Sequence, residues 1–145
     1  MINDIALNKA AMIRRCLVRV REEYRSDPAR LDDFTVQDSI ILNLLRACEG
    51  AIDYAMHRIA HDRLGIPQSS RDAFDVLQTQ SLLTPPTAQA MKNMVGFRNI
   101  AVHSYQALQR PILEAILARH LTDFEVYLKE MANRLPPPNL PTPNT

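Results

Sequence analysis

The chain has no tryptophan, three glycines, two cysteines and only 6% aromatic residues among its 145 positions. So little glycine counts against a turn-rich all-β sandwich, whose hairpins need it at positive φ. Cys16 and Cys48 lie far apart with no CxxC pattern, so they make neither a disulfide framework nor a zinc knuckle. Both fall within helical patterns, where a reduced cysteine behaves as a small hydrophobe. No stretch approaches the roughly eighteen apolar residues of a membrane span. The opening MINDIALNKAAMIRR lacks the basic-then-apolar order of a signal peptide. A cytoplasmic protein with no membrane contact is expected. Neither sign of charge dominates either: Lys+Arg 17 against Asp+Glu 16 leaves a net +1. No global field then draws the chain to nucleic acid, and any RNA site has to be local.

What is present is helical periodicity. With 46% hydrophobic and 23% charged residues, the chain has the composition of one globular domain with a real core. Ile2, Ile5, Ala6, Ile13, Cys16, Leu17, Val20 and Tyr24 predict a first helix over about 3–24, stopped by Ser26-Asp27-Pro28. Thr35 with Asp38 resembles a capping box opening a second helix. That helix carries Ile40, Leu44, Cys48, Ala51, Ala55 and Ile59 inward and ends with Gly65 as C-cap. The small Ala47, Ala51 and Ala55 allow a neighbouring helix to approach closely. A short helix follows from Arg71 to about Gln80, capped by Ser69 or Ser70. Thr84-Pro85 opens the next, with Ala88, Met91, Val95 and Val102 expected inward. Pro111 opens the last, which presents Ile112, Ile116, Leu117, Leu121, Phe124 and Leu128 and ends near Arg134. The final PPPNLPTPNT holds five of the ten prolines and cannot continue a helix. The division is therefore a helical domain over 1–134 and a disordered or polyproline II tail over 135–145. No alternating strand segment or internal repeat is present. The fold class is all-α, an up-and-down four-helix bundle with an additional short helix.

The chemistry is concentrated in Arg98-Asn99-Ile100-Ala101-Val102-His103-Ser104-Tyr105 at a helix end. Asn99 and His103, four apart, share a helix face, so Asn99 is placed to orient the imidazole. Arg98 offers a planar, permanently charged donor fork suited to phosphate, and Tyr105 nearly aligns with it if the helix persists. Such a set suits cleavage of RNA by its own 2′-hydroxyl. His103 would act as base, since an imidazole titrates near neutrality. Arg98 would stabilise the crowded phosphorane. No metal is required. One copy shows one histidine, whereas departure of the 5′-oxygen also needs an acid; two copies facing each other would supply both. The spacing by itself favours the plainer reading, a helix-end arginine and histidine that cap carbonyls or pair with a carboxylate.

The segment matches the R-x4-H-x-Y signature of the HepT-like (DUF86) family of the HEPN superfamily, which the chain resembles over roughly residues 1–134. Further matches are Arg46-Ala47-Cys48-Glu49-Gly50-Ala51-Ile52-Asp53, Gly65-Ile66-Pro67 and Arg71-Asp72-Ala73-Phe74. The resemblance implies a metal-independent endoribonuclease toxin of a toxin–antitoxin pair. It implies a homodimer in which facing motifs build a composite cleft, with Arg98 and His103 catalytic and Asn99 orienting. The implied partner is a minimal nucleotidyltransferase antitoxin that attaches AMP to Tyr105. The added phosphates would compete with the RNA backbone beside Arg98 and His103. Ser104 occupies a slot the family often fills with glycine. No cofactor is implied. The alternative function is a non-catalytic nucleotide- or substrate-binding subunit of the same nucleotidyltransferase.

Other candidates are weaker. Asp53, His57 and His61 share a helix face, which reads as solvated or as an interface rather than as a zinc site. His120 reads as a surface residue. The arginines of the first helix, among them Arg14, Arg15 and Arg19, are either RNA-collecting or simply solvated. Phe97 and Tyr105 are the aromatics able to stack on a base, and Phe97 is also suited to fill the core.

Overall fold

In the computed structural model, which describes residues 2–133, every regular element among the described residues is helical. Helix α1 (Ile2–Tyr24) sends Ile13, Cys16, Leu17, Val20 and Tyr24 inward at intervals of three and four. Ile5, expected on that stripe, sits at its exposed margin. Arg25 and Ser26 then take positive φ values of 54° and 51° and unwind the helix. A 3-10 turn over Pro28–Asp32 follows, opened by Asp27, whose side chain accepts from the Ala29 N–H.

Helix α2 (Phe34–Asp62) runs through the middle of the molecule and packs against α1 and the two helices that follow it. The expected Thr35–Asp38 capping box does not form. Asp33 is the N-cap, its Oδ1 accepting from the N–H groups of Thr35 at 2.9 Å and Val36 at 3.4 Å. At the other end Arg63 adopts the left-handed conformation and closes the helix, so Gly65 is not the C-cap; with φ at 140° it bends the connection beyond. The small-residue stripe does its expected work: Ala47, Ala51 and Ala55 are buried. Gly50 lies so close to α1 that a methyl group there would stand 2.7 Å from Met12 Cε and 2.9 Å from Ile13 Cγ1.

Helix α3 (Ser70–Thr79) is capped by Ser69, whose hydroxyl accepts from Asp72 N–H. Helix α4 (Pro85–His103) starts at Thr84 as expected, but the capping acceptor is supplied from across the bundle. Glu130 takes hydrogen bonds from Thr84 N–H at 2.8 Å, Thr84 Oγ1 at 3.0 Å and Thr87 Oγ1 at 2.7 Å. A carboxylate also suits the positive end of a helix. Ala88, Met91 and Val95 point inward, whereas Val102 is 47% exposed, contrary to expectation, because the last turn of α4 projects past the core.

The final helical run comprises α5 (Arg110–Ala115), a π-helical segment (Ile116–His120) and α6 (Leu121–Asn133). Leu113, Ile116, Leu117, Leu121, Phe124 and Leu128 are buried, but Ile112 is displaced to the exposed side. The π segment inserts an extra residue per turn, so one 3.6-residue stripe cannot describe the whole run. Tyr127 is fully buried, edge-on to Tyr54 and Phe74, and donates its hydroxyl to Ala51 carbonyl oxygen at 2.8 Å. A buried phenol needs such an acceptor. The Pro-rich segment beyond Arg134 lies outside the described residues. No helix among the described residues is long and apolar enough to cross a membrane.

Candidate active site

The last turn of α4 brings the expected residues to one end of the bundle, in different environments. Arg98 is largely enclosed, its side chain 18% exposed. It donates from Nη2 to Ser70 Oγ at 2.9 Å, and its Nη1 lies 3.9 Å from Glu49 Oε2. Its Nε is buried without a hydrogen-bond partner in the structure. The guanidinium is therefore held between α2 and the start of α3. Arg71, next to Ser70, lies over α4: its Nη2 would stand 2.9 Å from a methyl group placed on Gly96, and its Nε donates to Lys92 carbonyl oxygen at 3.4 Å. Gly96 thus leaves room for the Arg71 guanidinium to lie against α4.

His103 is the last residue of α4 and is exposed. Asn99 is half-buried one turn earlier, and among the described residues no hydrogen bond joins it to His103. Five helical positions separate Arg98 from His103, which is about 140° around the axis and roughly 7.5 Å along it. One side chain turns into the bundle and the other into solvent. Phe97 is buried and fills the core, so it offers no stacking face.

Tyr105 does not continue the helix. Ser104 leaves helical geometry at φ −146° and ψ 51°, and Tyr105 begins a 3-10 turn ending at Ala107. The expected alignment with Arg98 therefore fails. Tyr105 is 45% exposed and donates its hydroxyl to Asp38 Oδ1 on α2 at 2.5 Å. That carboxylate acceptor, with some burial, pushes the phenol up to about 12. The contacts Glu49–Arg98 and Asp38–Tyr105 occur in opposite chain order, so α2 runs antiparallel beside the motif. One α2 face thus touches both of its ends, with the exposed Leu42 between them. Reading from local patterns missed Asp38, Glu49 and Ser70 as site residues; their roles depend on contacts between distant segments.

The Asp53, His57 and His61 face is partly accounted for otherwise. Asp53 lies 3.6 Å from Lys9 Nζ, and His61 Nδ1 lies 2.9 Å from Asp62 Oδ1. Among the described residues no group of three or more His, Cys, Asp or Glu is arranged to hold a metal ion. His120 pairs with Asp123 at 2.9 Å.

The ribonuclease HepT-like family matches residues 11–131, a span that contains the Arg98–Tyr105 segment. The chain belongs to this family. The mRNA nuclease HepT of Shewanella oneidensis is 48% identical to this HepT-like chain over 127 residues, 88% of this chain and 96% of that protein. Among solved structures, the tri-AMPylated Shewanella oneidensis HEPN toxin in complex with its MNT antitoxin superposes with a TM-score of 0.85 at 46% identity. The match covers 90% of this chain and 98% of that one. A toxin–antitoxin structure with AMP-PNP gives 0.86 at 45% identity over 90% and 99%. YutE, a cytosolic Bacillus subtilis protein of unknown function, shares the fold at 16% identity and a TM-score of 0.65.

Proposed function

We propose that this HepT-like chain is a metal-independent RNA endonuclease toxin acting in the cytoplasm as a homodimer, through residues 1–134. The observation that carries this reading is the fixed guanidinium of Arg98 on the same helix end as an exposed His103, in a HepT-like chain. His103 takes the proton from a ribose 2′-hydroxyl as its oxygen attacks the adjacent phosphorus. Arg98, already desolvated and anchored, stabilises the charge that develops on the non-bridging oxygens. The 5′-oxygen leaves with a proton, which the His103 of a second copy supplies. The products are a 2′,3′-cyclic phosphate and a 5′-hydroxyl. Flexible or loop RNA fits best, because its sugar can swing into line with the leaving group. Asn99 is placed to orient the imidazole once a partner copy or RNA closes the site.

The cognate partner in this reading is a minimal nucleotidyltransferase antitoxin, which silences the chain by transferring AMP to Tyr105. Its support is the AMPylated state of the similar Shewanella toxin and the exposure of Tyr105 two residues beyond His103. The test is incubation of purified chain with mixed RNA in excess EDTA, beside His103→Ala. Cleavage by the unaltered chain alone, leaving cyclic phosphate ends, is expected. Absence of cleavage by protein whose mass shows no added AMP overturns the reading.

A further inference from the structure

We propose that Asp38 is the proton acceptor for AMP transfer to Tyr105, so that the toxin itself supplies a catalytic group for its own modification. This rests on Tyr105 being the modified residue, as argued above.

The geometry has three parts. The Tyr105 hydroxyl already donates to Asp38 Oδ1 at 2.5 Å, within reach for direct proton transfer. Asp38 and Tyr105 are both exposed, so the hydroxyl can enter a partner enzyme's nucleotide site without local unfolding. Among the described residues no cation competes for Asp38. Asp32 and Asp75 are paired with Arg110 and Lys92, and Asp62 with Arg58 and His61. Asp38 makes no ion pair among the described residues, and Tyr105 is its one side-chain hydrogen-bond partner there. Arg110 lines the same shallow pocket as Tyr105. It is already engaged, by Asp32 at 2.6 Å, Glu114 at 2.7 Å and Pro28 carbonyl oxygen at 2.7 Å.

Tyr105 Oη attacks the α-phosphorus of a bound adenosine triphosphate. The bond from that phosphorus to the bridging oxygen breaks, and pyrophosphate leaves with the electron pair. The phenolic proton passes to Asp38 as the new O–P bond forms. The carboxylate holds the resting phenol protonated, so no phenolate is exposed beforehand. As Oη loses electron density to phosphorus its acidity rises, and the acceptor is already in place.

The test follows AMP addition by intact mass, with the full chain, its antitoxin and ATP. Asp38→Asn keeps the size and a hydrogen-bond acceptor but cannot take a proton. It is expected to slow transfer by about 100-fold, the usual contribution of a positioned base, with antitoxin affinity unchanged. Asp38→Glu is expected to recover most of the rate, which a merely structural role for Asp38 does not predict. Transfer to Asp38→Asn within twofold of the unaltered chain overturns the proposal, as does loss of antitoxin affinity in that variant. A different failure marks the underlying reading: Tyr105→Phe modified as fast as the unaltered chain shows that Tyr105 is not the acceptor, and the role of Asp38 falls with it.

Discussion

Asp38 and Ser70 each stand where a helix cap is expected, and each is relieved of that work by a neighbour. Asp33 caps α2 and Ser69 caps α3, so the Asp38 carboxylate turns to Tyr105 and the Ser70 hydroxyl to Arg98. A local reading accounts for both residues and therefore hides them. The pairs are separated by 67 and 28 positions, and periodicity says nothing at that range. The R-x4-H-x-Y segment, by contrast, is local and was legible. Its anchors yield two predictions. Ser70→Ala removes a hydrogen bond to a charged group and loosens Arg98, so the RNA cleavage rate should fall about tenfold, roughly 1.4 kcal/mol of transition-state stabilisation. Single-turnover kinetics check this, and an unchanged rate would show that Glu49 and packing suffice. The second concerns Tyr105, whose pKa is raised to about 12 by the Asp38 hydrogen bond. A raised folded value means the stabilisation is complete below the unfolded value near 10 and is lost as pH rises through about 12. Phenolate absorbance, taken as the difference between the unaltered chain and Tyr105→Phe, should show this late ionisation. Asp38→Asn should return it toward the ordinary range.

The helices themselves were readable because burial follows the 3.6-residue period over most of their length. Departures occur where another element intervenes. Ile112 leaves the predicted face because the π segment over Ile116–His120 breaks the period of the final run. Val102 is exposed because α4 outruns the core that a periodic stripe presupposes. The start of α4 was located correctly from Thr84-Pro85, but its acceptor is Glu130 on α6 rather than the threonine side chain. That contact fixes α4 at the end opposite its chemistry, about 27 Å of helix away from His103. Glu130→Ala removes the acceptor of Thr84 N–H and of the buried Thr87 hydroxyl, leaving the two threonine hydroxyls only each other at 3.1 Å, at a cost of about 1–2 kcal/mol. The expected result is a thermal midpoint lowered by roughly 4 °C, with the cleavage rate of the folded protein little changed. A large loss of cleavage at temperatures where the variant remains folded would mean that tension along α4 reaches the motif.

At the scale of the whole molecule, the proposed reaction asks for more than one chain presents. Arg98 faces α2 and α3 while His103 points into solvent, and the segment holds one imidazole where the reaction needs both a base and an acid. The apolar Leu42 and Val102 are exposed near the motif, 44% and 47% respectively, on the side where the proposed second copy would bring its own motif. Symmetric pairing places identical surfaces opposite each other, so the one composite cleft between two copies then holds two histidines. The dose dependence of a defective chain measures this directly. If one His103 serves as base and its counterpart as acid, a dimer with a single His103→Ala chain is inactive. Activity then falls as the square of the unaltered fraction. Equal co-expression of unaltered and His103→Ala chains, purified together, should retain about one quarter of the activity per chain. Half would be retained if each chain acted alone. Sedimentation of the same preparation establishes the number of copies. A linear dose dependence from a confirmed dimer would place acid and base within one chain, leaving the second copy to shape the cleft rather than to take part in the chemistry.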